Sequence, residues 1–168
     1  MEDSTGVYTY AYDTLGRVQS VTCPSGKRST CTYDAVGQRA SLVGPDGGVF
    51  TYGFDPAGRA GQLVNPQGDR TTFGYDAAGP RTLEQHADAS RASYTYDAAD
   101  RLTWLANLKS DDSLISSFNY WYDNVGNRTA VAEGSGARVT WTYDAADQLT
   151  NEHRSGASGY NTTFAYDP

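Results

Sequence analysis

Eight aspartates recur at a nearly fixed interval: Asp13, Asp34, Asp55, Asp76, Asp97, Asp123, Asp144 and Asp167. Such a ladder invites two kinds of chemistry, calcium binding and acid–base catalysis. A calcium site needs about six to eight converging oxygens. One Asp per unit, engaged with its own turn, supplies too few. Glycoside hydrolysis needs two carboxylates at a set separation across a cleft, and no pair stands apart here. His86 and His153 are the only histidines, each alone. With Cys23 and Cys31 they lack the spacing of a zinc site. A Ser/His/Asp triad has no nucleophile-elbow motif to support it. The sequence therefore assigns no catalytic residue, no metal ligand and no cofactor. The aspartates read as structural.

Their setting explains why. Each follows an aromatic residue, in the order Tyr12, Tyr33, Phe54, Tyr75, Tyr96, Tyr122, Tyr143 and Tyr166, at intervals of 21, 21, 21, 21, 26, 21 and 23. Three residues after the Asp comes Gly16, Gly37, Gly58, Gly79 or Gly126, with Asp100 and Asp147 in the remaining units. Arg17, Arg59 and Arg101 come next in three of them. A second mark, Pro-x-Gly, falls at Pro24–Gly26, Pro45–Gly47 and Pro66–Gly68. Another aromatic usually precedes the pair by two residues, as in Tyr10, Tyr52, Phe73, Tyr94, Tyr120, Trp141 and Phe164. Fixed-period self-similarity of this kind marks a repeat architecture.

Each mark has a backbone cause. Asp-x-x-Gly suits a type I turn closed by a left-handed residue: the carboxylate accepts the N–H two residues on, and Gly takes positive φ freely. Asp at 100 and 147 tolerates that conformation better than most residues. Pro-x-Gly reads as a tight hairpin loop. Aromatic-x-aromatic is period two, the signature of a strand. A unit of turn 13–16, strand 17–23, loop 24–26 and strand 27–33 fills the 21 residues. The expectation is an all-β antiparallel meander of repeated hairpins in a curved sheet, about sixteen strands in one array over 1–168. Its units are 8–33, 34–54, 55–75, 76–96, 97–122, 123–143 and 144–166, with a truncated last one. The five extra residues of the long interval are expected in a loop near Ser110–Ser113. The two extra of the 23-residue interval are expected around Ser155, Gly156, Ala157, Ser158 and Gly159. The hairpin at Ala87–Ala89 has the weakest turn signal.

On the face carrying the tyrosines, residues of intervening strands should fill the gaps, among them Val18, Val21, Leu42, Leu63, Leu83, Leu102, Leu105, Val131 and Leu149. Val18 and Val21 are three apart. They can share a face only if the strand bulges; otherwise both faces are partly buried. Around the first Pro-x-Gly loop paired numbers sum to 50, so Cys23 faces Lys27 and Cys31 faces Gln19. The two cysteines are then four pairs, about 13 Å, apart along the ladder, too far for a disulfide, so free thiols are expected. Regular tyrosines could stack sugars but read as core. Trp121 alternates with Tyr120 and Tyr122 and so points to the opposite face, which makes it the candidate contact residue.

Composition excludes further classes. A net charge of −7 and scattered single Arg and Lys argue against nucleic acid. No apolar run approaches a membrane span, and the start at Met1-Glu2-Asp3-Ser4 has no signal-peptide character. Two cysteines cannot staple a disulfide scaffold. The end at Asp167-Pro168, inside the motif of another unit, is expected of a piece of a longer array.

The unit aromatic-x-Tyr-Asp-x-x-Gly-Arg…Pro-x-Gly, running from Tyr10 to Asp167, resembles the YD repeat of the rearrangement hotspot (Rhs) family, as in polymorphic toxins, Tc toxin shell subunits and teneurins. The resemblance implies a β-strip wound into a hollow shell that encloses a toxin or cargo domain of the same parent chain. It implies a noncatalytic scaffold, secreted or at the cell surface, with further repeats as partners. Family toxins are longer and close the shell with a self-cleaving segment; Asp55-Pro56-Ala57-Gly58 looks like an Asp-Pro-x-Gly cleavage element but lies in register with the other turns. Eight units would make a segment of wall. The alternative is an extracellular module recognising glycans or a partner protein through its loops or exposed aromatics.

Overall fold

The computed structural model describes residues 2–3, 6–156 and 158–167. Met1, Ser4, Thr5, Ala157 and Pro168 lie outside the described residues, and with them the readings of the inserted loop, chain start and chain end that fall on those positions. The described chain is all β-strand and turn, and it divides into two compact units, Met1–Phe73 and Gly74–Pro168.

The first unit opens with a short pair, β1 (Glu2–Asp3) and β2 (Gly6–Val7). A meander follows: β3 (Thr9–Tyr12), β4 (Val18–Thr22), β5 (Arg28–Tyr33), β6 (Arg39–Val43), β7 (Val49–Phe54) and β8 (Ala60–Val64). The next strand, β9 (Arg70–Tyr75), reaches the unit boundary. The second unit carries β10 (Arg81–Gln85), β11 (Arg91–Tyr96), β12 (Leu102–Leu108), β13 (Leu114–Tyr122), β14 (Arg128–Glu133), β15 (Arg138–Tyr143), β16 (Leu149–Arg154) and β17 (Tyr160–Thr163). In both units strand order is chain order and pairing is antiparallel. The antiparallel hairpin meander expected from the repeat is therefore the fold.

Both kinds of turn close alike. The Asp13 N–H donates to the Arg17 carbonyl at 2.9 Å, and the Gly16 N–H to the Asp13 carbonyl at 3.0 Å. At the opposite end of the hairpin Cys23 donates to Lys27 at 3.0 Å and Gly26 to Cys23 at 2.9 Å. The fourth position takes positive φ: 78° at Gly16, 57° at Asp100, 60° at Asp147. The weakly signalled hairpin forms the same way, with Ala89 forced to φ 64°.

The question posed by Val18 and Val21 resolves as a bulge. Tyr12 pairs with Val18 and Ala11 with Ser20, so Gln19 is the extra residue. Tyr10 then faces Val21, and both valines lie on the tyrosine face. The same shift leaves out Ala40, Gly61, Thr103, Thr129 and Thr150. A bulge adds one residue to one strand of a pair, which is how an odd-numbered unit keeps its facing.

Two expectations fail. The five extra residues do not make a longer loop. The turn at Lys109–Asp112 has the standard form, with Lys109 N–H on the Ser113 carbonyl at 2.9 Å. Instead β12 has 7 residues and β13 has 9, against 5 and 6 in the hairpin of β4 and β5. Longer strands retain ladder hydrogen bonds that a loop would give up, and the odd residue becomes a bulge where Asn107 pairs with Ser116 but Leu108 with Leu114. Leu83 also departs. It pairs with Ser93, the neighbour of Tyr94, and so lies on the face opposite the tyrosines. Glu84 pairs with Ala92 and takes the place on the tyrosine face.

Within each unit strands touch only their ladder neighbours. The buried apolar side chains are accordingly few and mostly small: Ala92, Ala106, Ala130 and Val139. The tyrosines range from half-buried to 59% exposed at Tyr12, so contacts between neighbouring repeats, more than a thick core, hold each hairpin in place.

Candidate functional site

Asp97 shows what the motif builds. Its Oδ1 accepts the N–H of Ala99 at 2.9 Å and of Arg101 at 3.0 Å, and its Oδ2 accepts Arg101 Nε at 2.7 Å. The guanidinium then reaches the next repeat. Nη1 donates to the Asp123 carbonyl at 2.9 Å, and the group lies 4.9 Å from the centre of the Tyr122 ring. The Tyr122 hydroxyl donates to the Leu102 carbonyl at 2.9 Å. One aspartate thus orients an arginine that holds the following tyrosine, and that tyrosine ties back to the strand after the aspartate.

The first unit repeats this geometry. Asp13 holds Arg17 at 2.7 Å, Arg17 lies 4.3 Å from the Tyr33 ring, and the Tyr33 hydroxyl donates to Val18 at 2.8 Å. Asp55 holds Arg59 at 2.8 Å. Tyr96, Tyr143 and Tyr166 donate to the carbonyls of Arg81, Arg128 and Leu149. In two units without the arginine an amide reaches the next repeat instead, while Asp76 is followed by Pro80. Gln38 Nε2 donates to the Gly58 carbonyl at 2.8 Å and Asn127 Nδ2 to Asp147 Oδ1 at 2.9 Å. Phe54 has no hydroxyl and pairs with Ala60. The remaining motif aspartates Asp34, Asp76, Asp123 and Asp144 each accept the N–H two residues on, within 3.1 Å. Asp167 is exposed.

These contacts set the electrostatics. The backbone N–H four residues on holds the carboxyls of Asp13, Asp55 and Asp97 below the ordinary range, and the arginine side chain adds to it against partial desolvation. Burial raises the phenols of Tyr96, Tyr120 and Tyr143. A carboxylate so occupied is neither a proton donor nor a free ligand. Aspartates of different units do not converge, and among the described residues no group of three or more His, Cys, Asp or Glu could hold a metal ion. His86 is half-exposed with Nε2 3.9 Å from Glu84 Oε1, and His153 is exposed.

The register around the cysteines follows the sum of 50: Ser20 pairs with Thr30, Val21 with Ser29 and Thr22 with Arg28. Cys23 Sγ lies 3.1 Å from Ser25 Oγ and donates to the Lys27 carbonyl. Trp121 pairs with Ala130, on the face away from Tyr120 and Tyr122. It is 44% exposed, and the Arg138 guanidinium lies 5.1 Å from its ring.

Sequence reasoning missed the partners at the fourth residue after each Asp. Arg17, Arg59 and Arg101 were visible as a recurrence but carried no role, and Gln38 and Asn127 carried no signal, because their bonds run to another repeat. No helix of the described chain is long and apolar enough to cross a membrane.

Comparison with known proteins accords with this geometry. The family profile described as Teneurin YD-shell matches residues 30–151. No curated protein sequence matches the chain. The crystal structure of TcdB2-TccC3-Cdc42 is similar over 98% of this chain and 11% of its own, at a TM-score of 0.79 and 19% identity. The Tc holotoxin pore of Photorhabdus luminescens is similar over 96% of this chain and 12% of its own, at 0.68 and 17% identity. The chain thus spans about a tenth of the length of these solved chains.

Proposed function

The chain belongs to the teneurin YD-shell family, and we propose from that premise that it is a noncatalytic stretch of shell wall. Its parent protein, secreted or surface-borne, would enclose a toxin or cargo domain of the same chain, with further repeats continuing the wall. Enclosure works by steric isolation and requires no reactive group. The observation that carries the reading is the use of the motif's polar atoms: Asp97, Arg101 and Tyr122 direct theirs into the junction between repeats. Such a ribbon suits a barrier better than an active site. The test uses the full-length gene product. The domain encoded beside the repeats should resist a protease that digests the same domain when it is made alone. Equal digestion in both contexts would sink the reading.

A second reading rests on Trp121, exposed on the face opposite the tyrosines. An exposed aromatic with a stacked arginine could contact a glycan or a partner protein. A glycan array probed with the native chain and Trp121→Ala separates the readings, since a scaffold predicts no hit that the substitution removes.

A further inference from the structure

The long hairpin of the second unit leaves part of a strand without a neighbour. Pairing of β13 with β14 ends at Phe118 and Glu133. Beyond it only the Gly134 N–H reaches back, to the Ser117 carbonyl at 2.8 Å. Leu114, Ile115 and Ser116 therefore extend beyond that last contact with one side open, while β12 backs the other side through Asn107 and Leu108 and leaves Ile115 as the bulge residue; Ser117 itself is covered, at 8% exposure. A groove of about 380 Å³ lies along this edge, lined among others by Leu114, Ile115, Phe118, Glu133 and Gly134. Leu114 is 53% and Ile115 57% exposed.

We propose that the Leu114–Ser116 edge is a strand-addition site for an extended, uncharged, apolar-alternating segment of a partner polypeptide. The backbone sets the class of occupant, because an open strand side offers N–H and C=O groups that only another extended backbone matches along its length. Natural edges are usually blunted by lysine, proline, inward charge or a bulge; of these Leu114–Ser116 carries only the bulge at Ile115, on the side of β12. The rim charges are neutralised in place: Arg91 holds Asp112 at 2.6 Å and Arg154 holds Glu133 at 2.8 Å. Charge complementarity therefore favours an uncharged segment. A second copy is a poor occupant, since three residues fall far short of the ~1,200 Å² that stable interfaces bury. The site lies within the second unit and does not depend on the shell reading.

The experiment titrates the isotope-labelled full chain with the peptide acetyl-Ser-Val-Thr-Val-Thr-Val-Ser-amide. Saturable amide shifts should be confined to residues 114–118 and 133–135, with slowed hydrogen exchange at the edge. The same peptide N-methylated at alternate residues should bind at least about tenfold more weakly, as should the native peptide to the Leu114→Lys, Ile115→Lys chain. Undiminished binding of the methylated peptide, shifts elsewhere, or no shift at millimolar peptide would overturn the proposal. So would protection of the same amides by self-association without peptide.

Discussion

Tyr122 ties itself to Leu102, donating its hydroxyl to that residue's carbonyl, and Leu102 is the residue that pairs with Tyr96, the equivalent tyrosine one repeat earlier. The same relation links Tyr33 through Val18 to Tyr12, and Tyr143 through Arg128 to Tyr122. Every tyrosine of these pairs therefore reports on the backbone position of its predecessor.

Removing one such hydroxyl tests the link. Tyr122→Phe keeps the ring under Arg101 but leaves the Leu102 carbonyl without that donor. Urea denaturation should show a loss of about 1 kcal/mol, with an unchanged strand signal in circular dichroism. An unchanged midpoint would mean that water replaces the phenol without loss.

Ala89 holds φ 64° where the other hairpins place Gly or Asp. Left-handed backbone costs a Cβ-bearing residue about 1 kcal/mol, so Ala89→Gly should stabilise the second unit by about that much. Gly47 sits at φ 84° with open space around a would-be Cβ, so Gly47→Ala should cost a similar amount through backbone strain alone. Thermal melts of the two variants should move in opposite directions.

Acid should loosen the junctions in a defined window. Asp13, Asp55 and Asp97 titrate below the ordinary 3.8 when folded. The unfolded chain thus binds protons first as pH falls, and the stability these groups contribute is full above about pH 4 and lost through the folded values below it. Melts from pH 6 to pH 2 should fall steeply only at the acid end. Replacing all three by Asn should flatten that fall.

The bulge sets the facing of each strand. Thr129 is the unpaired residue between Arg128 and Ala130. Deleting it should throw Arg128 or Ala130 onto the wrong face and abolish cooperative melting of the second unit. Thr129→Ser, which keeps the residue count, should stay within about 0.5 kcal/mol of the native chain.

The turns were readable because Asp13, Gly16 and their equivalents report local backbone needs, and the hairpin register around Cys23 followed from loop length alone. The bulges were not. Gln19, Ala40 and Gly61 share no chemistry, and where threonine bulges its hydroxyl donates across the ladder, Thr103 to the Thr95 carbonyl and Thr150 to the Thr142 carbonyl, a pairing no local pattern announces. Leu83 was misplaced because hydrophobicity suggested the tyrosine face, whereas its pairing with Ser93 puts it on the other. The roles of Arg101 and Gln38 stayed hidden because their acceptors, the Asp123 and Gly58 carbonyls, are backbone atoms about twenty residues away that any residue type could present.

The extra residue beside each Asp turn also governs how such a chain can vary. The hairpin of β12 and β13 gained two rungs and one more unpaired residue, yet Leu105 still faces Tyr94 on one side and Phe118 on the other. Insertions of any parity can thus be absorbed locally while downstream units keep their orientation. A gene encoding this ribbon can lengthen one finger at a time, raising isolated projections from an otherwise even weave.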